Sequence, residues 1–157
     1  MWTARWFVQP QVARFISEVE RVFAFLLKEG FALPQIDTSH PLLVRVTFLA
    51  KCLGIQLKLD EREQLVECEV YRLCNGTLPD VFRKGDDGLT WSKPLYCIVL
   101  AEGGRWPPDK KRVGGKRSSD GTYELTDSDM TITIEAIADM LKGPAARVLQ
   151  DDVSVLD

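Results

Sequence analysis

Three β-strands are predicted by one stretch of the sequence, LLVRVTFLAKCLGIQLKLDEREQLVECEVY, residues 42–71. Apolar and polar side chains alternate along it, and alternation with a period of two is typical of a strand with one buried face. The three alternating runs are residues 42–51, 55–60 and 66–71. The connections, residues 51–54 and 60–64, are only four and five residues long, which suits hairpins rather than parallel crossovers. The stretch therefore predicts an antiparallel meander.

A helix is predicted ahead of the meander, over residues 11–29. Its apolar residues recur three and four positions apart, as they do on one face of a helix. These residues are Val12, Phe15, Ile16, Val19, Val22, Phe23, Leu26 and Leu27. Pro10 is suited to begin the helix, and Gly30 is suited to end it in the left-handed conformation that glycine adopts cheaply. The apolar face predicts that this amphipathic helix packs across the meander.

The rest of the chain predicts two loops and further helices. Turn-forming residues fill 75–94 and 103–121, and they flank an apolar stretch, 96–100, that is expected to be a buried strand or a short apolar segment. Helical spacing predicts a helix over 134–142, and a Gly-Pro pair separates it from a second short helix. The prediction is a single α+β domain, residues 1–157, with an N-terminal amphipathic helix packed on an antiparallel β-meander and helices at the C-terminus.

The composition indicates an ordinary folded protein. Of the 157 residues, 45% are hydrophobic and 27% are charged, and the net charge is −3. No apolar run approaches the roughly 20 residues that are needed to span a bilayer. The first residues also lack the apolar core and the cleavage site of a secretory signal. We therefore expect a cytoplasmic protein that does not enter a membrane.

Metal chemistry and nucleophilic catalysis have little support in the sequence. The four cysteines, Cys52, Cys68, Cys74 and Cys97, form no Cys-x-x-Cys pair, and the single histidine, His40, precedes a proline. Cysteines among Val, Leu and Ile behave as small hydrophobic side chains, so we expect buried, reduced thiols. His40 is expected in a turn. No catalytic residue, metal site or cofactor is predicted.

Acidic side chains gather on the last two strands of the meander and on the turn between them. The set is Asp60, Glu61, Glu63, Glu67 and Glu69, together with Tyr71. Glu67, Glu69 and Tyr71 share one parity along their strand and hence one face of the sheet. A carboxylate patch beside an aromatic ring suits a basic partner, although a solvated strand face is the commoner reason for such a pattern.

A basic segment, residues 105–117, follows the apolar stretch. It carries six cationic side chains against Asp109 alone. Its candidate binding residues are Arg105, Trp106, Lys110, Lys111 and Arg112. Cationic side chains beside flexible glycine backbone could hold a phosphate or a nucleic acid, but the Walker pattern is absent. A solvated loop is the commoner reading, and Trp106 is suited to anchor a protein partner.

Three classes of function remain open on the residues alone. The leading hypothesis is a non-enzymatic protein that binds another protein through the carboxylate-bearing sheet face and the adjoining loops. A small enzyme would use a loop-built site such as Asp86, Asp87 and Arg105, and it would need a deep cleft with perturbed titratable groups. A nucleic-acid binder would use the basic segment, and its affinity would depend on salt.

The order of several segments carries a resemblance. The segments are FAFL (23–26), GF (30–31), DER (60–62), YRLCNGTLP (71–79) and AARVLQDD (145–152). In this order they resemble a broad group of small, mostly uncharacterised bacterial α+β proteins, some of which are similar to immunity proteins of polymorphic toxin systems. The resemblance implies no catalytic residue. It implies a binding protein, with a toxin as one class of partner.

Overall fold

The structure, a computed structural model, describes residues 9–79, 89–106, 116–117, 119–121 and 123–157. Its helices and strands follow one another along the chain as α1 (Pro10–Val22), α2 (Phe25–Lys28), β1 (Gln35–His40), β2 (Leu43–Leu49), β3 (Leu53–Asp60), β4 (Leu65–Arg72), β5 (Ser92–Pro94), α3 (Leu95–Ala101), β6 (Lys116–Arg117), β7 (Tyr123–Glu124) and α4 (Asp127–Lys142). Two short 3₁₀ helices, Ala146–Gln150 and Val153–Leu156, end the chain. Within the described residues, no helix is long and apolar enough to cross a membrane.

The predicted α+β architecture is confirmed. Strands β1 to β5 form one antiparallel sheet in the order of the sequence, and β6 pairs with β7 in a separate two-stranded ribbon. The predicted meander is β2, β3 and β4, joined by the short hairpin connections that the sequence indicates. Helix α1 begins at Pro10, as predicted, and Gly30 has the expected positive φ of 96°.

The helices cover one face of the sheet. Helix α1 buries Val12, Phe15 and Val19, and α4 packs beside it. After α1 the chain makes a turn instead of continuing as one helix, and Phe23 in that turn stacks on Phe48 of β2 with ring centroids 6.0 Å apart. The opposite face of the sheet carries polar side chains, as its alternation predicts.

Besides the break between α1 and α2, further elements differ from their predictions. Strand β1 was not expected, because its sequence, QIDTSH, has no apolar alternation and all six residues are exposed. The stretch 96–100 is not a strand but lies in α3, where Leu95, Ile98 and Val99 are buried at helical spacing. Helix α4 begins at Asp127 rather than near 134, after the Thr126 hydroxyl, which accepts a hydrogen bond from the Asp129 N–H. The residues 131–135 only mimic strand alternation.

Residues near the C-terminus form hydrogen bonds and an ion pair with residues of β3 and β4 at one end of the meander. The Asp151 carboxylate accepts hydrogen bonds from the N–H groups of Cys52 (3.0 Å) and Leu53 (2.8 Å). The Arg72 guanidinium, at the end of β4, pairs with Asp157 at 3.1 Å and donates to the Thr90 carbonyl. Arg72 has the parity of the buried residues of β4, so its cation must either emerge at the end of the strand or meet a carboxylate. The carboxylate of Asp157 offsets the cost of its partial burial.

Candidate functional site

The edge of β4 is only half covered by β5. The two strands pair at Glu69 with Pro94, Val70 with Lys93 and Tyr71 with Ser92. After Pro94 the chain turns into α3, so pairing cannot continue toward the start of β4. In the described part of the chain, no strand lies beside the segment from Leu65 to Cys68 on this side. We call this segment the open edge.

Hydrogen bonds at the far end of β4 fix the direction of its backbone groups. The Leu73 N–H donates to the Cys52 carbonyl, toward β3, and the Arg72 N–H donates to the Trp91 carbonyl, toward β5. Backbone groups in an antiparallel strand alternate between the two sides. The N–H groups of Val66 and Cys68 therefore point to the open edge, whereas those of Glu67 and Glu69 point to β3.

A cleft of about 370 Å³ runs along the open edge. We call it the edge cleft. It is lined by Leu65, Val66, Glu67, Cys68, Glu69, Pro94, Leu95, Tyr96, Trp106 and Ile137. The volume falls within the range of about 300–1,000 Å³ that small-ligand sites occupy. Its lining combines an apolar floor, two aromatic rings and two glutamates, and no lysine or arginine is among the lining residues.

A close contact at the end of α3 positions the aromatic wall of the edge cleft. Gly104 lies so near the rest of the fold that a Cβ atom there would stand 2.7 Å from Pro144 and 2.8 Å from Val99. Only glycine allows the chain to pass this point before it reaches Trp106. The Trp106 and Tyr96 rings then lie 6.4 Å apart, tilted by 41°. Tyr96 is 47% exposed, so the wall is accessible to a partner.

The two glutamates of the edge cleft differ in their surroundings. Glu67 forms an ion pair with Lys58 of β3 at 2.9 Å and remains 47% exposed. Glu69 is half-buried, and burial raises the pKa of its carboxyl, against the opposing effect of a hydrogen bond with Ser92. A carboxylate kept in a partly desolvated position interacts more strongly with an arriving cation than one in open water.

We expect the Glu69→Gln variant to be more stable than the unmodified protein at neutral pH. The pKa of Glu69 is higher in the folded chain than in the unfolded one, so the ionised carboxylate lowers stability, and this penalty vanishes as the pH falls below the unfolded value of about 4.3. Thermal unfolding should show a gain of less than about 1 kcal/mol at neutral pH, because the group is only half-buried, and no gain near pH 4. Glu67→Gln, which loses the ion pair with Lys58, is the control and should show no gain; a pH-independent effect of Glu69→Gln would contradict this assignment.

The edge cleft unites only some of the predicted binding residues. Glu67, Glu69 and Trp106 line it. Tyr71 faces a different hollow of about 540 Å³ on the polar sheet face, beside Arg45 and Lys58. The acidic set therefore does not form one continuous patch.

The other predicted residues lie apart from the cleft or outside the described chain. Asp60 accepts hydrogen bonds from the N–H groups of Arg62 and Glu63 and so stabilises the β3–β4 turn. Glu61 and Glu63 belong to that turn, and Arg105 is exposed beside Trp106. The remaining candidates, Lys110, Lys111 and Arg112, lie outside the described residues, as do Asp86 and Asp87 of the enzyme hypothesis.

The cysteines and the histidine supply little chemistry in the described residues. Cys68 is buried, and burial raises the pKa of its thiol, which disfavours the reactive thiolate. The expectation of four buried thiols is wrong for Cys52, which is exposed, and Cys74 and Cys97 are only partly buried. His40 is the last residue of β1, where its Nδ1 accepts the N–H of the turn residue at 42. It lies three strands from β4, on the opposite edge of the sheet.

In the described part of the chain, no group of three or more His, Cys, Asp or Glu residues could hold a metal ion.

Comparisons with known protein families, curated proteins and solved structures find no match to this chain. Any statement about its function therefore depends on the geometry of the edge cleft and on the sequence itself.

Proposed function

We propose that this chain is a non-enzymatic protein-binding module that holds a basic segment of a partner protein in the edge cleft. The observation that carries the proposal is the meeting of two glutamates and two aromatic rings beside the open edge of β4. Aromatic residues that are partly buried and partly exposed are the usual anchors of protein interfaces. Carboxylates at the rim of such an anchor speed association with a basic partner and select against an acidic one.

Two properties of the cleft favour a binding role over a catalytic one. Its thiol, Cys68, is held in the unreactive protonated form by burial. Its perturbed carboxyl, Glu69, accepts a hydrogen bond from Ser92 and has no histidine or lysine among the cleft-lining residues to complete an acid–base pair. The apolar floor and the aromatic wall are better suited to burying side chains of a partner.

The resemblance to immunity proteins indicates which class of partner to expect. An immunity protein acts by binding its toxin. It therefore needs a surface that is complementary to the toxin in shape and charge, and it needs no catalytic group. On this proposal the partner is a toxin with an exposed basic segment. The edge cleft offers the place, and Glu67 and Glu69 offer the complementary charge.

A capture experiment with charge-reversed protein tests the proposal. Purified protein would be incubated with the product of each neighbouring gene, and bound protein would be identified by mass spectrometry. We expect one partner to bind the unmodified protein and to be lost with the double variant Glu67→Lys/Glu69→Lys, because two repulsive charges replace two attractive ones.

Two variants serve as controls in the capture experiment. Glu20→Lys changes a glutamate on the exposed side of α1 and should leave capture intact. The triple variant Lys110→Ala/Lys111→Ala/Arg112→Ala should also retain the partner, whereas loss of binding only in this variant would favour the basic segment. Capture that survives the reversal of Glu67 and Glu69 would contradict the proposed site.

A further inference from the structure

We infer that the edge cleft binds its partner as an added β-strand, through an extended segment in which basic and apolar side chains alternate. This inference rests on the proposed protein-binding function and specifies the mode of binding at the same site. Strand addition to an exposed sheet edge is a recurrent way of recognising extended peptides, in which main-chain hydrogen bonds give affinity and side-chain pockets give specificity.

The backbone of the open edge supplies the first part of the argument. The N–H groups of Val66 and Cys68 point to the edge on which β5 has ended, at Pro94. Unpaired strand edges invite pairing with another chain unless the fold covers or blocks them. The chain enters α3 at Leu95, directly after Pro94, so β5 does not extend further along this edge. A partner strand would take the position that β5 leaves open.

The two faces of the cleft supply the second part. A strand beside the open edge would send alternate side chains to opposite faces of the sheet. On the polar face the residue opposite Glu67 would also have Glu69 as a diagonal neighbour, because Glu69 itself lies opposite Pro94. On the helical face they would meet Ile137 of α4 and the ring of Trp106, which packs against the hydrophobic core. The predicted partner pattern is therefore basic, apolar, basic, apolar.

The size of the site limits the length of the bound strand. The open edge spans four residues, Leu65 to Cys68, or about 13 Å at the usual rise of about 3.3 Å per residue. The cleft beside it has a volume of about 370 Å³. The length of the open edge corresponds to an extended segment of about four residues.

The charge of the cleft selects the chemistry of the occupant. Two carboxylates line it, no lysine or arginine is among its lining residues, and Lys58 of β3 already pairs with Glu67. An acidic segment would meet two like charges, and a purely apolar one would bury both carboxylates further with only Lys58 to offset their charge. A lysine or arginine opposite Glu67 would place a cation beside that carboxylate and within diagonal reach of Glu69.

A capped eight-residue peptide in which lysine and valine alternate is a direct probe. Its affinity for the full chain would be measured by calorimetry or by fluorescence of the tryptophans. Two derivatives carry N-methyl groups on alternate amides, one set in each, because a paired strand turns only every second N–H toward its neighbour. We expect one N-methylated set to weaken binding by about tenfold or more, while the other set leaves affinity within about threefold of the parent.

Protein variants complete the test. The double variant Glu67→Gln/Glu69→Gln should bind the parent peptide with about tenfold lower affinity. A control peptide with glutamate in place of lysine should not bind the unmodified protein. If both N-methylated sets bind as tightly as the parent, or if the parent peptide fails to bind at millimolar concentration, strand addition is overturned. Neither of these results touches the capture experiment with Glu67→Lys/Glu69→Lys, so the binding mode and the proposed function fail separately.

Discussion

Replacing Phe23 by alanine is expected to lower the free energy of unfolding by about 3–5 kcal/mol. The Phe23 side chain is fully buried, stacks on Phe48 of β2 and lies in the turn that joins α1 to α2. Its loss removes an aromatic ring from the contact between the helical layer and the sheet and leaves a cavity there. Because a domain of this size is stable by only about 5–15 kcal/mol, the variant should unfold at a clearly lower denaturant concentration.

Phe25 provides the matched control for Phe23. It is the same residue type two positions along the chain, but it is only partly buried and lies under the Lys142 ammonium at 4.4 Å. Phe25→Ala should therefore lower the free energy of unfolding by less than about half as much as Phe23→Ala does. Equal losses for the two variants would show that the turn after α1 does not sit against β2 as described.

The helix and the meander could be predicted from the sequence because their signals are local. Period-two alternation locates β2, β3 and β4, and three-and-four spacing locates α1, since each pattern reports directly on one buried face. Proline at position 10 and glycine at position 30 also have geometric roles that hold in most folds. These features need no knowledge of what lies across the core.

Other elements depend on contacts between distant parts of the chain, so local sequence patterns could not predict them. Strand β1 has no apolar face, and its pairing with β2 is what makes it a strand. In α3 a run of consecutive apolar residues hides the helical spacing of Leu95, Ile98 and Val99, so a short buried strand fits the sequence equally well. The partner of Arg72 is 85 residues away, at the last residue of the chain.

The candidate site was predictable only in part. The sequence singles out Glu67 and Glu69 by their strand parity and Trp106 by its residue type, and the structure brings these three to one cleft. The sequence does not predict that Tyr96 lies beside these three residues, because the stretch that contains Tyr96 could not be recognised as a helix. The open edge depends on where β5 ends, and the only local signal for that end is Pro94.

Amide hydrogen exchange along β4 is expected to show a sharp alternation that ends where β5 begins to pair. The N–H groups of Val66 and Cys68 point to the open edge, whereas those of Glu67 and Glu69 point to β3. Val70 and Arg72 have the parity of Val66 and Cys68, but they lie beside β5 and serve as internal controls. Amides without a strand partner exchange through small local openings, and paired amides in a sheet require larger ones.

The most direct test of the open edge is therefore the exchange of these amides in the unbound protein, followed residue by residue by NMR. We predict that Val66 and Cys68 exchange roughly a hundredfold faster than Glu67, Glu69 and Val70, and that saturation with the alternating lysine–valine peptide removes this difference. Protection of Val66 and Cys68 equal to that of Val70 in the unbound protein would show that the edge is already covered, and it would contradict the account.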